Sequence, residues 1–194
     1  MTLKPKEDDI HNKLFLEILP KRYPDSVIAK NWLGWSYREQ DRKEQTHFYR
    51  EFDVALFERK TQATIHTLIL TGFEVKGFEE KSGKPPSFAE GIDQCLVLLY
   101  QGADFAYLVY PEPERKEDQK ALKELCDKYA PYVGLIFVPH DLDTFSQYYA
   151  TYRNSMHNPH SRPDRKRHML SGLVTSGLRD EISQIPSWCK KQEY

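Results

Sequence analysis

Hydrophobic residues recur along the chain with two periods, one typical of helices and one typical of strands. Ile10, Leu14 and Ile18 lie at helical spacing, and the prolines that follow predict the end of this first helix, which spans about 7–19. Other segments show the same two patterns. Apolar runs predict strands at 26–37, 50–57, 63–78, 105–110 and 134–138, and helical periodicity predicts helices at 86–101, around 121–129, at 144–152 and at 165–182.

Polar residues mark where these elements begin and end. The stretch 58–62, ERKTQ, predicts a turn after the strand at 50–57. Ser87 and Glu90 have the spacing of a capping box at the start of a helix, and Gly102 predicts its end. The resulting order of helix, three strands, helix, strand, helix and strand predicts an α/β fold with a mixed central sheet flanked by helices.

The chain is predicted to form one domain with a C-terminal helical extension. Residues 154–163, NSMHNPHSRP, have the composition of a linker. We therefore expect a domain at 1–153 and an extension at 154–194 that packs on this domain or extends it. The apolar residues of the extension either cover one side of the sheet or form a contact between two copies; they are Met169, Leu170, Leu173, Val174 and Leu178.

Composition narrows the classes of function. The chain has 194 residues, with 28 Lys and Arg against 29 Asp and Glu, so a contact with nucleic acid must come from a local patch. No apolar run reaches the length of a membrane helix, the N-terminus lacks the apolar stretch of a signal peptide, and the three cysteines lie far apart. These features predict a cytoplasmic protein without membrane contact. The motifs GxxxxGK[ST], GxGxxG and GxSxG are absent, which disfavours an ATPase, a dehydrogenase and a serine hydrolase.

Three charged residues on two neighbouring strands carry the candidate chemistry. Glu74 and Lys76 lie two positions apart on one strand, so their side chains project from the same face. Asp53 lies on the preceding strand, and a short turn places that strand antiparallel beside the one that carries Glu74 and Lys76. Two carboxylates and the main-chain carbonyl of Val75 can hold a hard divalent cation, and an ammonium nearby can orient water and offset phosphate charge. This arrangement is typical of a metal-dependent phosphodiesterase.

The pattern Asp53 followed by Glu74-Val75-Lys76 resembles that of the PD-(D/E)XK nuclease superfamily, the restriction-endonuclease-like fold. The resemblance covers about residues 7–138 and implies an α-β-β-β-α-β core. It also implies Mg²⁺- or Mn²⁺-dependent cleavage of a nucleic-acid phosphodiester, with Asp53 and Glu74 as metal ligands and Lys76 as the cation that positions water. Phe52 stands where the family pattern has proline. Glu74 follows Asp53 by 21 positions, so the hairpin must extend through 58–67.

The resemblance implies two further residues. Family members often add an acidic residue from the first helix, and Glu17 is the position predicted here. Some members carry Gln-x-x-x-Tyr on the helix after the third strand, and Gln94 matches the glutamine although Leu98 stands where the tyrosine belongs. On a helical wheel, Gln94 is expected to point away from the apolar face of its helix.

A basic segment of the extension is a candidate nucleic-acid contact. It contains Arg162, Arg165, Lys166 and Arg167 close to a predicted helix start, and the alternative interpretation is a solvated helix start. The sequence therefore predicts a nuclease whose substrate is DNA rather than RNA, and dimerisation is common in the family that the pattern resembles. Two alternatives stay open: a nuclease fold that no longer cleaves and binds nucleic acid or a protein, and an unrelated α/β binding domain.

Overall fold

A computed structural model describes residues 4–32, 51–62, 65–78, 84, 86–175 and 182–190. Within these ranges the strands form one six-stranded sheet with the order β5-β4-β3-β2-β1-β6. Neighbours from β6 to β3 are antiparallel, whereas β3, β4 and β5 are parallel. The strands are β1 (Val27–Trp32), β2 (Phe52–Gln62), β3 (Ile65–Val75), β4 (Phe105–Pro111), β5 (Val133–Val138) and β6 (Ile182–Gln184).

Helices flank the sheet, and their order confirms the predicted α/β class with a mixed sheet. The first helix is continuous through α1 (Glu7–Lys13), a π-helical segment (Leu14–Ile18) and α2 (Leu19–Arg22). The others are α3 (Phe88–Gln101), α4 (Lys116–Tyr129), α5 (Leu142–Tyr148), α6 (Pro163–Thr175) and α7 (Ser187–Lys190). No helix in the described ranges is long and apolar enough to cross a membrane.

The first helix does not end at Pro20, contrary to the prediction. The main-chain N–H of Leu19 bonds the carbonyl of Leu14, five residues back, so the helix widens by one residue just before the proline. A proline ring normally collides with the carbonyl four residues before it and lacks the N–H that would bond it. The wider π turn changes that geometry, and the helix continues to Arg22.

The β2–β3 hairpin is longer than the polar stretch 58–62 predicted. Glu58 pairs with Ile69 and Gln62 pairs with Ile65, so ERKTQ is strand and not turn. The described residues near the tip of the hairpin are exposed: 60–62 on β2 and 65–67 on β3. A strand exposed on both faces needs no alternation of apolar and polar residues. The polar sequence of 58–62 therefore resembled that of a turn. The required extension through 58–67 is thereby confirmed for the described residues.

Each face of the sheet is covered by a separate hydrophobic cluster. The first helix and α5 cover one face, with buried Leu14, Phe15 and Phe145. The helices α3, α4, α6 and α7 cover the other face, where Met169, Leu170 and Leu173 are buried. These three residues of the extension therefore pack on the sheet and are not an exposed dimer contact.

The predicted helix 165–182 corresponds to two elements. Helix α6 spans Pro163–Thr175, and Ile182 belongs to β6, which extends the sheet beside β1. Leu178 lies outside the described residues. The prediction was wrong at Ile182, because a three-residue edge strand is too short to show a period of its own.

Candidate functional site

Two acidic residues lie on adjacent strands where β2 begins and β3 ends. Val54 pairs with Phe73, so the preceding residue Asp53 and the following residue Glu74 are neighbours across the antiparallel pair. Residues opposite each other in such a pair project from the same face. That face carries Ala55 and Leu70 and is covered by α3. The hairpin therefore places both acidic residues at the same end of β2 and β3, on the face covered by α3.

Asp53 is held by the main chain of the neighbouring strand. Its Oδ2 accepts the N–H of Val75 at 2.7 Å, in a part-buried position. The N–H and C=O of one strand residue point to the same side, so the carbonyl of Val75 is also directed toward β2. Asp53, Glu74 and the Val75 carbonyl therefore contribute oxygen atoms at this end of β2 and β3.

Glu74 and Lys76 form a tight ion pair beside them. Lys76 Nζ lies 2.9 Å from Glu74 Oε1, and the two side chains are 12% and 3% exposed respectively. Burial disfavours the charged ammonium, but the hydrogen bond and charge of Glu74, together with the charges of Glu7 and Asp53, outweigh it and raise the pKa of Lys76. Lys76 is therefore a cation at neutral pH and not a general base.

A third carboxylate, Glu7, lies near Lys76 and Asp53 and was missed by the sequence analysis. It lies in the first turn of α1, accepts the main-chain N–H of Gly77, and interacts electrostatically with Lys76 and Asp53. Burial raises the pKa of Glu7, as do the charges of Asp53 and Asp8, while Lys76 and the Gly77 N–H act in the opposite direction. The run EDD at 7–9 was the available signal, but acidic residues in a first helical turn are ordinary.

Glu17, the predicted first-helix acid, lies elsewhere. It forms an ion pair with Lys13 at 2.9 Å and is 44% exposed, and Lys13 also contacts Asp143 at 3.1 Å. Glu17 is ten positions after Glu7, which is about 15 Å along a helix axis. The prediction is corrected on this point: the helix end that reaches Asp53 and Lys76 is the one that carries Glu7.

Gln94 lies on the buried face of α3, so the helical-wheel expectation was wrong. The side chain is 4% exposed, Nε2 donates to Glu90 Oε1 at 3.2 Å, and Oε1 has no hydrogen-bond partner among the described residues. The adjacent Cys95 is fully buried and interacts with Glu74, Asp53 and Lys76, and burial raises its thiol pKa well above the usual value. This part of α3 therefore covers the carboxylate group with an inert thiol and a buried amide.

The basic segment of the extension does not form one exposed patch. Lys166 is buried, with Nζ 2.7 Å from both carboxylate oxygens of Asp104. Arg165 donates to the carbonyls of Tyr100 and Gln101, each at 3.2 Å, at the end of α3. Arg162 and Arg167 are exposed. Lys166 and Arg165 both attach α6 to the rest of the domain: Lys166 is buried, and Arg165 is half-buried with its guanidinium bonded to the end of α3.

The donor set suits a hard cation but is small. Among the described residues, no group of three or more His, Cys, Asp or Glu side chains has the arrangement of a metal site. Two carboxylates and one carbonyl match the oxygen preference of Mg²⁺, an ion that keeps several of its waters in protein sites.

Comparison of the chain with protein-family models, with curated proteins and with solved structures found no match. The functional assignment therefore depends on the geometry of the site.

Proposed function

We propose that the protein is a metal-dependent nuclease with a restriction-endonuclease-like fold, which hydrolyses phosphodiester bonds of DNA. The observation that carries this proposal is the position of Asp53 and Glu74 at adjacent strand ends, with the Lys76 ammonium 2.9 Å from Glu74. Burial of charged side chains lowers stability unless the charges are paired or bind a ligand.

The order and direction of the elements support the same proposal. A helix, three antiparallel neighbouring strands, the helix α3 and the parallel strand β4 follow one another along the chain. This is the α-β-β-β-α-β order that the family resemblance implies. Asp53 lies at the start of the second strand and the E-x-K residues lie at the end of the third.

Asp53, Glu74 and the Val75 carbonyl are the residues that would hold Mg²⁺ or Mn²⁺. A bound ion of this kind supplies Lewis acidity toward phosphoryl oxygens and lowers the pKa of water. Asp53 needs little reorganisation to act as a ligand, because the Val75 N–H already orients its carboxylate. Glu7 takes the place that the sequence analysis gave to Glu17, since it is the first-helix acid that interacts with Lys76 and Asp53.

Lys76 acts as a fixed positive charge in this proposal. Its raised pKa keeps the ammonium protonated, so it can donate hydrogen bonds to water and to phosphate oxygens and offset the charge of the substrate. Proton abstraction from the nucleophile belongs to another group or to solvent.

The test is cleavage of labelled single-stranded, double-stranded and branched DNA and of RNA, with Mg²⁺, Mn²⁺ or EDTA. Asp53→Asn keeps an acceptor for the Val75 N–H, so the fold is retained while the charge is lost. We expect Asp53→Asn and Lys76→Met to lower the rate by at least about 100-fold. The matched controls Asp118→Asn and Lys120→Met, on the exposed side of α4, leave it unchanged.

Other outcomes separate the alternatives. Metal-independent binding of nucleic acid without cleavage supports the inactive nuclease fold. If the folded wild-type protein neither cleaves nor binds nucleic acid, both nucleic-acid functions are refuted. A protein partner is then the hypothesis to test.

A further inference from the structure

The N-terminal segment crosses the ends of the two strands that carry the site. Phe78 N–H donates to the Pro5 carbonyl at 3.2 Å, and Gly77 N–H donates to the Glu7 carboxylate. A Cβ atom at position 77 would collide with the main chain of Glu7 and Lys6, so only glycine permits this approach. The start of α1 is thus attached directly to the chain that leaves β3.

One turn further along α1, His11 contacts the other strand. Its Nε2 lies 2.5 Å from the main-chain carbonyl oxygen of Asp53, in a part-buried position. A carbonyl oxygen only accepts, so Nε2 carries the hydrogen and donates. Glu7 and His11 are four positions apart and therefore share one face of the helix.

Asp53 is consequently held at two points by two different elements. The Val75 N–H of β3 holds the carboxylate, and the His11 ring of α1 holds the main chain of the same residue. Loss of the second contact allows the main chain at the start of β2 to rotate, and this rotation moves the carboxylate. Positioning contacts of this kind typically change metal affinity or activity by about 10- to 100-fold.

We propose that His11 is a positioning residue that fixes the Asp53 carboxylate in its metal-binding orientation. This inference rests on the proposed function, because it assigns His11 a role in the same site. A purely structural role, in which His11 only attaches α1 to the sheet, would lower stability without a separate effect on metal affinity. The two roles differ in what they predict for the folded variants.

The chain offers a graded pair of substitutions at this position. The Nε2 of a glutamine lies as many bonds from Cβ as the histidine Nε2, so His11→Gln preserves the donor and its reach. The asparagine amide is one bond shorter, so His11→Asn loses the contact without placing an apolar group there. His66→Asn is the control, because His66 is exposed and bonds Thr61 at the far end of the hairpin.

The measurements are Mn²⁺ affinity by calorimetry without nucleic acid, kcat and KM for the best substrate, and urea denaturation. We expect His11→Asn to weaken Mn²⁺ binding and lower kcat by about 10- to 100-fold with little change in KM. His11→Gln should recover most of both losses, and His66→Asn should match the wild type.

Three results overturn the proposal, and they are distinguishable. If the wild type binds Mn²⁺ and cleaves, but both His11 variants keep its affinity and kcat, the positioning role is refuted while the nuclease function stands. If the wild type neither binds Mn²⁺ nor cleaves, the proposed function fails and the role of His11 fails with it. Should His11→Asn not fold, a loss of Mn²⁺ affinity of about 10-fold or more in folded His11→Gln, which keeps the donor, refutes the proposal.

Discussion

Helix α6 is attached to the sheet by a buried ion pair whose removal has a large expected effect. Lys166 Nζ contacts both oxygens of Asp104 at 2.7 Å, and each side chain is 3% exposed. Asp104 also accepts the Leu70 N–H at 2.7 Å, and His157 Nε2 lies 3.4 Å from it. Replacing Lys166 with methionine preserves most of the side-chain volume but leaves the carboxylate buried without its ammonium.

The magnitude follows from that isolated carboxylate. Removing one member of a buried pair typically costs about 3–5 kcal/mol. The Leu70 N–H and the nearby His157 still stabilise the Asp104 charge, so we expect Lys166→Met to fall near the lower limit, about 3 kcal/mol. For a chain of this size the loss corresponds to a decrease in Tm of about 6–12 °C.

Urea denaturation of four variants tests the expectation. Lys120→Met removes an exposed pair with Glu124 and should cost less than about 0.5 kcal/mol. Asp104→Asn keeps an acceptor for Leu70, so the double variant Asp104→Asn/Lys166→Met should be more stable than Lys166→Met alone. The reasoning fails if Lys166→Met costs no more than Lys120→Met, or if it weakens nucleic-acid binding while stability stays unchanged. Either result would mean that Lys166 is exposed in solution.

Two further substitutions test local features of the fold and the site. Gly102 ends α3 with a φ of 114°, so Gly102→Ala should lower the free energy of unfolding by about 1–2 kcal/mol, measured by urea denaturation. The pKa of Glu7 is raised in the folded state, by burial and then by Asp53, so its ionisation costs stability as pH rises above the ordinary value of 4.5. Glu7→Gln should therefore gain stability relative to the wild type as pH rises above 4.5, and a stability difference that stays constant as pH rises from below 4.5 would contradict the assignment.

Local periodicity was sufficient for the α/β class and for the relative placement of three residues of the candidate site. Alternation on β2 and β3 places Asp53, Glu74 and Lys76 on one face, and a hairpin between consecutive strands makes them neighbours without any long-range information. The same reasoning failed on 58–62, because the exposed tip of the hairpin has no buried face to impose alternation. It also failed on Pro20, where a π turn that no sequence pattern signals accommodates the ring.

Residues whose role depends on distant partners were beyond this reasoning. The basic run around Lys166 has the composition of a phosphate-binding patch, but Asp104, which is 62 positions earlier, is buried and needs a cation. Gln94 was assigned to the wrong face because the buried side of α3 is centred on Gly91 and Cys95, while the apolar Leu96 is 40% exposed. A hydrophobic pattern identifies the presence of a buried face more securely than its exact centre.

The first helix shows why the third carboxylate was misassigned. Glu7 and Glu17 both lie on this helix, and Glu17 adjoins the buried Ile18, so a pattern of burial alone favours it. Which end of a helix reaches a site depends on the direction in which the helix crosses the sheet, and the close approach at Gly77 fixes that direction here. Because the chain at Gly77 follows Lys76 immediately, the N-terminal turn is the part of the helix that lies against the site. Glu7 and His11 then face Asp53 and Lys76 together. Glu17 lies about 15 Å from Glu7 along the helix axis, where it pairs with Lys13.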